Sequence, residues 1–114
     1  MNDEQKNLFI QFCDNLFSFM RKNNWYGACH ATTAMMYALA KKIGIDATPC
    51  IGECEQKGFQ PFDHSWLVID DKIYDLAISM PFIEEMAKGP VYGSIDSRTG
   101  KEVDMSYGIS YDGL

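Results

Sequence analysis

Residues 2–22 carry apolar side chains at steps of three and four, which is the spacing of one face of an α-helix. The apolar positions are Phe9, Phe12, Cys13, Leu16, Phe17 and Met20. Asn2 or Asp3 suits the N-cap, because either side chain accepts a hydrogen bond from the first amides of a helix. We therefore expect an amphipathic helix that lies across the core and ends before a short loop.

A second helix is predicted from about residue 29 to residue 43, with one wide apolar face. The apolar positions are Ala31, Ala34, Met35, Ala38, Leu39 and Ile43. Thr32 and Thr33 are expected to face solvent. Gly44 follows two lysines, and this order suits a helix end whose carbonyls meet cations and whose next residue adopts a positive φ. At the other end, Gly27 permits a tight turn and leaves a cysteine in the first turn of the helix.

Three later stretches are rich in β-forming residues and predict strands at 47–54, 64–69 and 72–78. Pro49 suits the start or the edge of the first strand, since proline cannot donate a hydrogen bond to a ladder. Only two aspartates separate the second strand from the third. This spacing predicts a tight antiparallel hairpin, even without a glycine in the turn.

The rest of the chain is less regular. Residues 81–88 begin with proline, carry two acids early and stop at a Gly-Pro pair, so a short helix is expected there. Residues 91–114 are polar and interrupted by glycines. They predict either an edge strand or a loose tail, with three aromatic anchors. These anchors are Tyr92, Tyr107 and Tyr111.

The length of 114 residues predicts one domain over 1–114. A net charge of −6 argues against a nucleic-acid surface, which needs clustered cations, and it favours a neutral or basic substrate. No stretch approaches the roughly 18 apolar residues of a membrane span, and the first residues lack a signal-peptide pattern. We therefore expect a cytosolic protein without a membrane or nucleic-acid partner. The oligomeric state is left open.

The four cysteines are expected to be thiols, because the cytosol is reducing. Cys50 and Cys54 suggest a metal site at first. On one strand, however, their side chains would lie roughly 13 Å apart, too far to hold the same ion. Cys13 falls in the apolar face of the first helix and is expected in the core.

Cys29 is the candidate nucleophile, because a helix N-terminus favours the thiolate over the thiol. A thiol nucleophile also needs an imidazole as base. His30 would point about 100° away on the helix, which leaves His64. A hairpin loop of even length places Asp75 on the same face as His64, about 7 to 8 Å away by backbone, a gap that the two side chains can bridge. The sequence thus predicts a nucleophile, a general base and an orienting acid.

Each of these three residues also has a simpler interpretation. A cysteine in a helix is often a core residue, and a histidine at the start of a strand is often a surface residue. Asp75 would serve equally well as a cap or as a solvated side chain. Their occurrence together, with the cysteine at a helix start and the other two on one hairpin face, favours the catalytic interpretation.

Three motifs closely resemble the transglutaminase-like superfamily of papain-like cysteine enzymes. They are Gly-x-Cys-His before an alanine-rich helix, then Gly-Ile-Asp-Ala, then Asp-His-Ser-Trp-Leu-Val-Ile-Asp-Asp-Lys-Ile-Tyr-Asp-Leu. The resemblance covers about residues 25–78. Its most specific parts are the helix-start cysteine and the His-x-Trp strand followed by Tyr-Asp-Leu.

The resemblance implies an α+β fold with a papain-like core, in which the cysteine helix packs on a small antiparallel sheet. An N-terminal helix and loop over 1–24 would precede a catalytic core over 25–90. Cys29, His64 and Asp75 would inherit the triad of the family, and the chemistry would be thiol acyl transfer.

The resemblance does not identify both hydrogen-bond donors of the family's oxyanion site in this sequence. The backbone amide of Cys29 is a natural donor. Trp25 and Asn24 are candidates for the second donor, and Trp66 is a candidate for the cleft wall. The chain shows no acidic calcium loop, so we expect no metal and no cofactor.

The first expectation for the function is a cysteine protease or amidase that acts on a peptide or protein, and the second is a transglutaminase or deamidase. A non-catalytic peptide-binding module on the same fold is the alternative. A redox or metal-linked role for Cys50 and Cys54 is a third, weaker hypothesis.

Overall fold

The computed structural model describes residues 1–111, with side chains described as far as Gly108. The chain forms a compact α+β domain of two helices and two antiparallel sheets. The elements are α1 (Asp3–Lys22), α2 (Cys29–Lys42), β1 (Ala47–Glu55), β2 (Phe62–Ile69), β3 (Lys72–Tyr74), β4 (Val91–Tyr92), β5 (Ile95–Asp96), β6 (Lys101–Glu102) and β7 (Ser106–Tyr111). The larger sheet has the order β3-β2-β1-β7, and the smaller one has the order β4-β5-β6.

Helix α1 forms as its sequence predicts. Asn2 is the N-cap and accepts a hydrogen bond from the Gln5 amide, while the Gln5 side chain accepts one from the Asn2 amide. This reciprocal capping box satisfies two amides that the helix itself cannot pair. The predicted apolar face is buried at its centre. The fully or nearly buried residues are Phe9, Cys13, Leu16 and Met20.

Helix α2 has the predicted ends but a different buried face. Gly27 at φ 67° and Gly44 at φ 83° flank it. The buried residues are Thr32, Thr33, Met36 and Ala40, whereas Ala31, Ala34, Met35 and Ala38 are exposed. The expectation that the threonines face solvent is therefore wrong. Thr32 is buried without an unpaired hydroxyl because its Oγ1 donates to the Ala28 carbonyl at 3.0 Å.

The hairpin of β2 and β3 has the predicted register, with Ile69 opposite Lys72 and Leu67 opposite Tyr74. Asp70 and Asp71 both adopt positive φ, at 53° and 60°. Two such residues make the type I′ turn that matches the twist of a hairpin, and aspartate tolerates this backbone better than most residues do.

The third strand is shorter than the predicted 72–78, because β3 ends at Tyr74. Asp75 leaves the hairpin and exchanges two backbone hydrogen bonds with Val91, at 2.9 and 2.8 Å. A short 3₁₀ turn over Ala77–Ser79 follows. The backbone of Asp75 is therefore paired with Val91, and the pairing of β2 with β3 ends at Tyr74.

The helix predicted over 81–88 is also absent, and only a 3₁₀ turn over Glu84–Met86 forms there. Phe82 and Ile83 are exposed, so the segment has no continuous apolar face to bury. Short helices depend on such packing. The Met86 carbonyl instead accepts a hydrogen bond from the buried Gln56 side chain at 2.9 Å.

The C-terminal segment forms strands, in agreement with the edge-strand alternative. Strand β7 pairs with β1 and becomes an edge of the larger sheet. Gly108 lies at this contact, where a Cβ atom would come within 2.2 Å of the Glu53 carbonyl oxygen. Tyr111 pairs with Ile51 through its backbone, and its side chain lies outside the described ones.

The main core lies between the two helices and the larger sheet, since α2 packs on β2 and β1. Leu67 and Ile69 contribute from β2, and Tyr74 meets Phe9 of α1 edge to face. A second, smaller cluster contains Cys50, Cys54 and Trp66. No helix in the described part of the chain combines the length and apolar content needed to cross a bilayer.

Candidate active site

Cys29 lies at the start of helix α2, near the surface of the domain. Ala28 is the N-cap residue and provides no side-chain cap, so the first amides of the helix stay available to other acceptors. Cys29 is the first helical residue and is half-buried. Its sulfur therefore lies at the positive end of the helix dipole, and solvent still reaches it.

His64 lies on strand β2, and its side chain is nearly buried. Its Nε2 lies 2.7 Å from Asp75 Oδ2. The imidazole also lies close enough to the Cys29 thiol for each group to shift the pKa of the other. Because Asp75 engages Nε2, Nδ1 is the ring nitrogen left to face the sulfur. The structure thus brings together the cysteine, histidine and aspartate that the sequence analysis singled out.

Asp75 is 1% exposed and receives three donors. The His64 ring and the Tyr107 hydroxyl both lie 2.7 Å from Oδ2, and the Ile78 amide donates to Oδ1 at 3.3 Å. A buried carboxylate is tolerated only when it is paired and hydrogen-bonded in this way. These contacts fix the carboxylate against the imidazole.

The electrostatics of the pair favour a thiolate beside an imidazolium. Burial alone would raise the pKa of Cys29, but the hydrogen bond and charge of His64 and further hydrogen bonds from Ser65 lower it below its usual value. Burial would lower the pKa of His64, but the charge and hydrogen bond of Asp75, and then those of Cys29, raise it to about 10. The two shifts have opposite signs, and each stabilises the ion pair.

Ser65 is a site residue that the sequence analysis missed. It is fully buried, and both its backbone and its side chain interact with the Cys29 sulfur. Its hydroxyl is also hydrogen-bonded to Nδ1 of His30. His30 therefore contacts Ser65, the residue that follows His64. Its ring does not take the place of His64.

Tyr107 is a second site residue without a recognised role in the sequence analysis, which treated it only as an anchor. Its hydroxyl donates to Asp75, and its ring meets Trp66 edge to face at 5.1 Å between centroids. Burial, and then the charge and hydrogen bond of Asp75, raise the pKa of Tyr107 well above its usual value, so it remains a donor. Only the pairing of β7 with β1 brings this residue to the site.

The other predicted candidates, Trp25, Asn24 and Trp66, do not line the cavity that opens at the Cys29 thiol. Trp25 is half-buried and packs edge to face on Phe19, with 5.0 Å between centroids. Asn24 lines a groove beside the site, although not the cavity that contains Cys29. Trp66 is buried in the smaller cluster, beneath Tyr107, and does not line that cavity.

A cavity of about 540 Å³ opens at the thiol. Cys29 and His64 line one part of it, and most of the remaining wall is apolar. The apolar side chains are Phe59, Pro61, Phe62, Ala77, Ile78, Pro81, Phe82, Ile83 and Met86. Gln60 and the exposed Asp63 also line the cavity and add a side-chain amide and a carboxylate. A concave apolar site with a few converging polar groups has the character of a binding site.

The pKa values of Cys54 and Cys13 are shifted in the opposite direction from that of Cys29. Burial, followed by the nearby charge of Asp75, raises the pKa of Cys54 to about 12. Burial likewise raises that of Cys13, well above its usual value. Among the described residues, no three or more histidine, cysteine or acidic side chains are arranged to hold a metal ion.

Comparison of the chain with protein-family models, with curated proteins and with solved structures finds no match in any of the three.

Proposed function

We propose that this protein is a thiol-dependent acyl-transfer enzyme of transglutaminase-like type, with a papain-like core, and that it acts on peptide or amide bonds. The single observation that carries the proposal is the chain of contacts from Cys29 through His64 to Asp75. A half-buried thiol at a helix start, an imidazole with a raised pKa and a buried carboxylate have the chemistry of nucleophile, general acid-base and orienting group.

In the first half of the reaction, the Cys29 thiolate attacks the substrate carbonyl carbon and a C–S bond forms. The C–N bond then breaks, and the His64 imidazolium gives its proton to the departing amine. The product is a thioester on Cys29. Asp75 keeps the ring in position and stabilises its charged form, because its Oδ2 accepts a hydrogen bond from Nε2.

In the second half, the neutral imidazole takes a proton from water or from an incoming amine, which attacks the thioester. The C–S bond breaks and the thiolate is restored. Water as the acceptor gives a protease, amidase or deamidase, and an amine gives a transglutaminase. We place hydrolysis first. The reaction needs no cofactor, and its dependence on a reduced thiol fits a cytosolic enzyme.

The oxyanion that forms during each attack needs preorganised donors. The backbone amide of Cys29 serves as the first, since it occupies the first helical position and has no acceptor within the helix. Asn24 and Trp25 stay predictions for the second. The amide of Gln60 is a further candidate because it lines the cavity at the thiol.

Acylation of the thiol tests the proposal directly. The protein is mixed with an activated ester and with peptide and acyl-glutamine electrophiles, and the modified residue is located by peptide mass mapping. We expect one acyl group on Cys29, none in Cys29→Ala, and a strong loss of rate in His64→Gln. His30→Gln removes the other histidine and is the matched comparison, for which most of the rate should remain.

Added amines then distinguish the acceptors, because a transglutaminase converts the thioester into a new amide whereas a hydrolase releases the acid. A Cys29 that stays unmodified in a folded protein would refute the enzyme proposal. The peptide-binding module would then be the better description of this fold.

A further inference from the structure

The charge beside the site is opposite to that of the whole chain. A groove of about 1140 Å³ runs next to the cavity, and the charged residues that line it are Arg21, Lys88, Arg98 and Glu84. Three cations thus face one carboxylate, in a chain whose net charge is −6. Local charge governs which ligand segment a groove accepts, because salt screens more distant charges over about 8 to 10 Å.

The cavity at Cys29 carries exposed apolar groups that the fold does not use. Phe82 is 84% exposed, Ile83 is 52% exposed and Phe59 is 37% exposed. All three line the cavity together with the nearly buried Met86 and Ile78. Large apolar groups grouped around a reactive thiol suit an apolar side chain of a ligand better than they suit water.

The groove and the cavity are neighbours, since Pro81 and Phe82 line both of them. The ring of Phe82 packs over Gly27, where a Cβ atom would lie only 2.2 Å from the ring. Gly27 is two residues from Cys29, so this ring marks the boundary of the site next to the nucleophile. An extended ligand that fills the cavity would continue past Phe82 into the basic groove.

We propose that the ligand of this site is an acidic peptide segment, with a bulky apolar side chain in the cavity at Cys29 and carboxylates in the groove beyond Phe82. The apolar side chain would contact Phe59, Ile83 and Met86, and the carboxylates would meet Arg21, Lys88 and Arg98. This reverses the expectation from net charge, which favours neutral or basic peptides, because the charges that line the groove are closer to the ligand than those elsewhere on the chain. The assignment as substrate rests on the proposed function, but the binding does not.

Binding is measured with Cys29→Ala protein, so that no turnover occurs. Four fluorescent peptides of equal length carry leucine or glycine at one position and glutamates or lysines at the flanking positions. We expect the leucine-glutamate peptide to bind best. Replacing leucine with glycine should weaken binding by about 10-fold or more, since a buried leucine contributes strongly. The preference for glutamate should decrease as salt is added.

Variants assign each preference to its part of the site. Arg21→Gln and Lys88→Gln should each weaken the glutamate peptide by about 1.5- to 5-fold, and should leave the lysine peptide unaffected or improved. Lys41→Gln removes an exposed cation of α2 that does not line the groove and is the matched control. Ile83→Ser should reduce the leucine preference alone. Circular dichroism establishes that each variant is folded.

A preference for the lysine peptides, or groove variants that behave like Lys41→Gln, would overturn the inference. If Cys29 is acylated normally but none of the four peptides binds, the inference fails while the enzyme proposal stands. If the leucine-glutamate peptide binds selectively but Cys29 never acylates, the enzyme proposal fails and the ligand class stands.

Discussion

Replacement of Asp75 by asparagine tests the core of the proposed mechanism. The carboxylate accepts three hydrogen bonds, two on Oδ2 from His64 and Tyr107 and one on Oδ1 from the Ile78 amide. Asparagine offers one oxygen and one NH₂ group in the same place. Whichever way its amide turns, the NH₂ group faces at least one donor. The least costly orientation turns the NH₂ toward Ile78, whose hydrogen bond is the longest at 3.3 Å.

The stability cost follows from that count. One buried donor left without a partner costs about 1 to 3 kcal/mol, so Asp75→Asn should fold but unfold at a lower urea concentration. In the wild type, the raised pKa of His64 stabilises the fold fully below its ordinary value of 6.5, and this contribution is lost as pH rises through about 10. The stability difference between the two proteins should therefore shrink as pH rises through about 10.

The cost in activity is larger. Loss of the carboxylate removes the largest cause that raises the pKa of His64, so this pKa falls and the imidazolium is less populated at neutral pH. Turnover should decrease roughly 10²- to 10⁴-fold, the range that general acid-base catalysis contributes. The alkaline limb of the pH profile should also move to lower pH, and Tyr107→Phe should move it less.

The assay is the rate of Cys29 alkylation by iodoacetamide from pH 5 to pH 10, together with turnover and urea unfolding. Asp46→Asn is the matched control, since it removes an exposed carboxylate that does not line the cavity at the thiol. An unchanged pH profile in Asp75→Asn, or full specific activity in the folded fraction of an unstable variant, would mean that Asp75 is only a structural residue.

Further predictions concern thiol reactivity and core packing. At about pH 6, where an ordinary thiol is under about 1% ionised, brief iodoacetamide treatment should label Cys29 well before Cys54, whose pKa is raised to about 12. Peptide mapping checks this. If Cys29 is still labelled well before Cys54 in His64→Ala, then Cys29 and His64 are not a catalytic pair. Met36→Ala should cost about 2 to 5 kcal/mol in urea unfolding, because Met36 is 1% exposed. Met35→Ala, at a position 38% exposed, should cost much less, and equal losses would contradict the observed orientation of α2.

Local residue patterns are enough to place the catalytic candidates on their helix and hairpin. Gly27 and Gly44 mark the ends of α2, because only glycine adopts their positive φ without cost. The two-residue turn between β2 and β3 fixes the parity of the hairpin. Any even loop keeps Asp75 on the face of His64, so the two side chains meet at 2.7 Å although the ladder ends one residue earlier.

Tertiary structure decided which face of α2 is buried. Alanine is nearly as acceptable on a surface as in a core, so the alanines of this helix carry little information about orientation. Thr32 is acceptable in the core because the helix itself supplies an acceptor for its hydroxyl. Periodicity of apolar residues therefore misplaced Ala31, Ala34, Met35 and Ala38, whereas Leu39 and Ile43 of the predicted face do pack against the core.

Tertiary structure also decided which residues complete the site. Tyr107 lies 32 residues from Asp75, and its hydroxyl reaches the carboxylate only because β7 pairs with β1. The exposed Phe82 lines the cavity from the segment 81–88, which forms a short 3₁₀ turn and not the predicted helix. Contacts between distant segments depend on how sheets and loops close over one another, and no local pattern of residues encodes that closure.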